Sequence, residues 1–95
     1  MAWSVRLQDE RGSPVVPHDA GIDFSTIPGE GDFKLLGYID PYGDTVFNRL
    51  QMEDFLADWN KLRPAGLQQQ ECAVVQEMAL RCRTEAHLYL RFIGD

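Results

Sequence analysis

The chain has few of the residues that build covalent or metal-held scaffolds, with two cysteines and two histidines in 95 residues. Cys72 and Cys82 are too few for a disulfide framework. If both lie on one helix, their separation spans about 15 Å, beyond the reach of a disulfide. They also lack the close spacing of a zinc site, so two buried, inert thiols are expected. Long apolar runs are absent too, and none approaches the roughly 18 residues that a membrane span needs. The opening MAWSVRLQDERG has a charge at Arg6 and no apolar signal-peptide core, which leads us to expect a cytoplasmic protein.

Basic residues are scarce: nine Lys and Arg stand against fifteen Asp and Glu, a net charge of −6 at pH 7. The deficit is local. Residues 9–58 hold eleven acids against Arg11, Lys34 and Arg49, whereas residues 59–95 are nearly balanced. A surface of this sign repels phosphate, which argues against nucleic acid and anionic membranes and in favour of a basic protein partner.

What is present is an ordinary globular composition, 44 % hydrophobic, in a chain long enough for one domain. In WSVRLQDE, Trp3, Val5 and Leu7 alternate with Ser4, Arg6 and Gln8, the period of a half-buried strand. Gly12 and Pro14 then mark a turn with a short return at Val15 and Val16. Residues 12–32 are rich in Pro and Gly and read as a loop with one short strand near IDFST. FKLLGYID and TVFNRL read as strands. Met52, Phe55, Leu56, Trp59 and Leu62 fall on one face of a helix, with Glu53 and Asp54 in its first turn, and RPAG ends it. A second helix is expected over roughly Leu67–Thr84, burying Cys72, Val75, Ala79 and Cys82, with Glu77 and Arg81 paired four apart. AHLYLRFI closes the chain as a strand. The order β-(β)-β-β-α-α-β implies an α+β fold: an antiparallel sheet of about four strands with a two-helix hairpin on one face. The other face would show Arg6, Tyr38, Tyr89 and Arg91, together with Leu36.

The stretch IDPYGDTVFN joins the two middle strands. Asp40, Pro41 and Gly43 fit a type I turn followed by a left-handed residue, the G1-bulge hairpin. Asp40 would accept the amide two residues on, Pro41 would preset its φ, Gly43 would take a positive φ, and Tyr42 would stand at the tip. A calcium loop starting at Asp40 fails, since its sixth position is Thr45 and its twelfth Gln51. An acid pair of Asp40 and Asp44 at an exposed tip lacks the desolvation that separates two pKa values.

Catalytic signatures are missing. There is no G-x-S-x-G, Walker-A or G-x-G-x-x-G motif, and a Cys82 facing the core is no activated partner for His87. His18, Asp19 and Asp23 are the remaining grouping with metal-ligand chemistry. Binding features are stronger. Asp54, Asp58 and Lys61 share one helix stripe expected to be exposed. Asp9, Glu10, Asp19, Asp23, Glu30 and Asp32 extend the negative surface. Tyr and Arg on an open sheet face match the composition of interfaces.

LLGYIDPYGDTVFNRLQ and HLYLRFIGD resemble segments of a group of short, stand-alone bacterial proteins of uncharacterised activity. That resemblance implies no activity and assigns no site. In size and acidity the chain is also similar to immunity proteins that neutralise bacterial toxins, an analogy of type without a shared motif. The expectation is therefore a non-enzymatic, acidic protein-binding domain without cofactor or metal, in the manner of an immunity-type inhibitor of a basic partner. Its contact residues would be Asp40, Tyr42, Asp44, Asp54 and Asp58, with Tyr38, Tyr89 and Arg91. The alternatives are a small metal- or ligand-binding enzyme using His18, His87 and nearby acids, and a structural homo-oligomer paired through an exposed strand edge.

Overall fold

The computed structural model of the chain describes residues 2–23, 34–40, 42–62 and 69–94. The fold is α+β, a four-stranded antiparallel sheet and two helices. The first strand, β1 (Ala2–Asp9), follows the predicted alternation: Trp3, Val5 and Leu7 are buried. Its turn is built by Asp9, whose carboxylate accepts the amides of Arg11 and Ser13, while Gly12 takes φ 82°. The return begins as expected, with Pro14 bridging Gln8 and the Val15 amide donating to the Leu7 carbonyl. The chain then leaves the ladder and rejoins it as β2 (Ala20–Asp23), earlier than the IDFST stretch suggested. The rest of that stretch, Phe24 onward, lies outside the described residues, as do Pro41 and the RPAG helix breaker.

The expected strand over FKLLGYID does not form. Leu36–Tyr38 is a 3-10 turn, closed by the Tyr38 amide on the Leu35 carbonyl at 3.0 Å. Leu36 and Ile39 both point into the core, three residues apart as a 3-10 turn requires, whereas a strand would send them to opposite faces. The expected hairpin therefore has no first arm. β3 (Asp44–Phe47) pairs with the last strand, β4 (Leu88–Ile93), in the register Thr45↔Phe92. TVFNRL is also shorter than predicted as a strand. At Asn48 a capping box takes over, with Asn48 Oδ1 accepting the Gln51 amide and Gln51 Oε1 accepting the Asn48 amide. A second 3-10 turn, Arg49–Gln51, then opens directly into a helix.

That helix, α1 (Met52–Leu62), buries Met52, Phe55, Leu56 and Trp59 as its periodicity predicts. The second, α2 (Gln69–Thr84), buries Cys72, Val75, Ala79 and Cys82. Both thiols are free, as expected, and burial raises the pKa of each, that of Cys82 to about 11. Arg81 turns forward to Glu85, with Nε 2.6 Å from Oε2, instead of pairing with Glu77. The sheet order is β2-β1-β4-β3, so the two chain-terminal strands are central and the two four-residue strands form the edges. Phe55 stacks on Trp59 and meets Phe47 and Phe92, joining α1 to β3 and β4 in one aromatic cluster. No helix among the described residues is long and apolar enough to cross a membrane.

Candidate protein-interaction surface

The 34–54 segment is fastened to the core at three points. The first is Asp58, which the helix stripe predicted to be exposed and which is 1 % exposed. Its Oδ1 accepts the Lys34 amide at 3.0 Å, and its Oδ2 accepts those of Leu35 and Leu36 at 2.6 and 3.2 Å. Three amides converging on one carboxylate bend the chain into the 3-10 turn and leave no hydrogen-bonding row for a strand. This satisfaction also makes the burial of a carboxyl group tolerable. Asp58 is thus a structural residue, and its assignment as a contact residue is corrected.

The second fastening is Trp3, whose indole N–H donates to the Asp40 carbonyl at 3.0 Å. The third is the turn itself. Asp40 Oδ1 accepts the Tyr42 amide at 2.9 Å, the Asx turn read from the sequence, and the Asp40 amide donates to Thr45 Oγ1 at 2.9 Å. Gly43, however, does not adopt a positive φ. Its role is space: a Cβ there would sit 2.8 Å from Asp40 Oδ2, inside the turn.

Held in this way, the segment exposes apolar side chains. Tyr38 is 76 %, Tyr42 73 % and Leu50 82 % exposed, and Val46 on β3 is also exposed. From Tyr38 to Asp54 the acids Asp40, Asp44, Glu53 and Asp54 stand among them, against one basic residue, Arg49. Asp54 is exposed as expected and lies 3.4 Å from Lys34 Nζ. Asp44 is engaged by Arg91 across the edge of the sheet.

The open sheet face is more self-contained than its composition suggested. Arg6 and Arg91 stand opposite each other in the β1–β4 register, each held by an acid. Arg6 makes a two-point contact with Asp19, Nε to Oδ1 and Nη2 to Oδ2, both at 3.0 Å. The hydrogen bond to Asp19, and secondarily its charge, raises the Arg6 pKa. Arg91 is held by Asp44. Tyr89 and Arg91 are only half-exposed, and Gln8 is buried. Tyr38 and Leu36, expected on this face, lie on the 3-10 turn instead, the first exposed and the second buried.

The metal alternative finds no support in the geometry. Asp19 is committed to Arg6, the side chain of Asp23 lies outside the described residues, and His87 faces Glu10, with Nδ1 3.5 Å from Oε2. Among the described residues no three His, Cys, Asp or Glu side chains form a metal-holding group. His87 is a turn residue with φ 66°, one position before β4. His18 borders a shallow cleft of about 310 Å³ between the β1–β2 connection and α2, walled by Val16, Val74 and Met78. Cys82 cannot serve as a nucleophile: its thiol donates to the Leu88 carbonyl at 3.3 Å inside the core. Sequence reasoning missed the roles of Asp58 and Trp3 and the capping box. Only the last had a local signature, Asn48 three residues before Gln51.

No protein-family model matches the chain, and no curated protein or solved structure matches it either.

Proposed function

We propose that this protein is a non-enzymatic, acidic binding domain that meets a basic protein partner through the segment from Tyr38 to Asp54. One observation supports this reading above the others: among the described residues, four of the six exposed large hydrophobics, Tyr38, Tyr42, Val46 and Leu50, fall in a stretch with four acids and one basic residue. Exposed aromatics supply contact area at small entropic cost, and interfaces are enriched in them. The acids draw a basic surface into encounter and disfavour acidic competitors. Tyr38 and Tyr42 act as anchors in this scheme, Asp40, Asp44 and Asp54 as the charged surround, and Asp58 as the post that holds the segment in shape. Tyr89 and Arg91 belong to the periphery, Arg91 by fixing Asp44. Neutralisation of a basic toxin, as immunity proteins do, is the form of this activity we favour, acting by steric cover and charge complementarity.

The test is to capture the partner with the intact protein and measure the association rate from low to high salt. The rate should fall steeply, because charge steering is screened over about 10 Å at 0.1 M salt. Tyr42→Ala should increase the dissociation rate, whereas Asp54→Asn should mainly slow association. An association rate indifferent to salt would contradict the proposal.

A further inference from the structure

The two edges of the sheet are finished differently. On β1 the Leu7 carbonyl accepts the Val15 amide, so by alternation Val5 and Trp3 bond to Ala20 and Ile22 of β2, and Gly21 turns its backbone groups away from β1. The outward Gly21 amide is taken up by Glu71 Oε2 of α2 at 3.1 Å, so one of that edge's outward donors is already occupied. On β3, the Gly94 amide donates to the Gly43 carbonyl, which sets the alternation of the β3–β4 ladder. Thr45 and Phe47 therefore bond to β4, while Asp44 and Val46 turn their N–H and C=O groups outward. Among the described residues no side chain caps these groups, and both residues are exposed.

We propose that this β3 edge receives an extended, basic segment of the partner protein as an added strand of the sheet. The inference rests on the acidic-binding reading above and names its mode. An unpaired edge offers main-chain donors and acceptors at the spacing of a strand, and side chains at alternate positions supply the selectivity. Here those side chains are Tyr42, Asp44 and Val46, two apolar positions around an acid, with Asp40 at the entry. An incoming strand whose residues on the open face run apolar, basic, apolar, two positions apart along its chain, would lay the apolar ones on Tyr42 and Val46. It would bring the basic ones to Asp40 and Asp44, where like charge would disfavour an acidic strand. Two copies of this chain paired at the same edge would instead bring their own acids together.

The probe is a short peptide of the repeat Val-Thr-Lys-Thr, which places valine and lysine by turns on one face of a strand, titrated into the isotope-labelled full chain while backbone amide resonances are followed. The same peptide N-methylated at every backbone nitrogen keeps its charge and loses strand pairing. We expect the largest shifts at the amides of Asp44 and Val46, and binding about tenfold or more weaker for the methylated peptide. Val46→Pro should weaken the unmethylated peptide to a similar degree, because it deletes an outward N–H that the β3–β4 ladder does not use. If that variant fails to fold, the two peptides on the unmodified chain still decide. Equal binding of both peptides would overturn the edge inference and leave the acidic surface standing. Binding of neither would overturn the edge inference and weaken the reading it rests on. Concentration-dependent shifts at Asp44 and Val46 without peptide would assign the edge to a second copy and overturn the proposal.

Discussion

Asp54 and Asp58 stand four residues apart on α1, yet Asp54 reaches through solvent toward Lys34 while Asp58 is enclosed by the backbone of the same segment. Helical geometry explains how neighbours on one stripe can diverge. Four residues advance the helix by slightly more than one turn, about 40° of rotation, which moves Asp58 toward the buried side. There it meets three amides at residues 34–36 that would otherwise lose water without gaining a partner. The same carboxyl chemistry thus organises the chain from inside at Asp58 and dresses its surface at Asp54. A count of acids along the sequence measures neither function alone.

Removing the buried member of the pair should have the largest effect. Asp58→Ala leaves three amides without their acceptor, and the loss of charged hydrogen bonds inside a protein points to about 3 kcal/mol or more. That is a large part of the stability of a domain this size, and equilibrium denaturation by urea will read it. Expression of a folded but weaker protein, or failure to fold, would both agree with it; wild-type stability would not.

Cys82 sharpens the comparison as a buried ionisable group with the opposite needs. It meets a carbonyl instead of amides and must keep its proton, which is why burial lifts its pKa to about 11. Above the unfolded thiol's pKa of about 8.5, the folded state holds more protons than the unfolded state, so stability falls as pH rises. The stabilisation is fully present below about pH 8.5 and is lost as pH rises from there through 11, to the extent of about 3 kcal/mol. Denaturation profiles from pH 8 to 11 should decline more steeply for the wild type than for Cys82→Ala. Parallel profiles would show that the thiol contributes nothing to the decline.

The smallest effect belongs to Asp54. Asp54→Ala should change stability by no more than about 0.5 kcal/mol, because its contact with Lys34 is exposed and long. A loss comparable to that of Asp58→Ala would erase the distinction between the two acids.

The parts of the fold legible in the sequence are those whose signal is local and periodic. Alternation in WSVRLQ and HLYLRF gave the central strands, and the Met52, Phe55, Leu56 and Trp59 spacing gave α1. The 34–40 segment was not legible as a turn, because its shape depends on a carboxylate more than twenty residues further along the chain. Leu36 and Ile39 read equally well as strand residues until Asp58 claims the intervening amides. At Asp40 the local chemistry was right and the setting wrong: the Asx turn forms, but it leads from a 3-10 turn into an edge strand instead of joining a hairpin. The exposure of Tyr42 was legible from that turn. The committed state of Arg6 and Arg91 was not, since each finds its acid only through the three-dimensional arrangement.

Asp58, in this arrangement, holds the segment that presents Tyr38 and Tyr42. Amide hydrogen exchange compares this most directly in the wild type and Asp58→Asn, a change that removes the charge and one of the two acceptor oxygens. The Lys34, Leu35 and Leu36 amides should lose protection in the variant while those of β4 keep most of theirs. Unchanged protection at all three amides in a folded Asp58→Asn protein would contradict it.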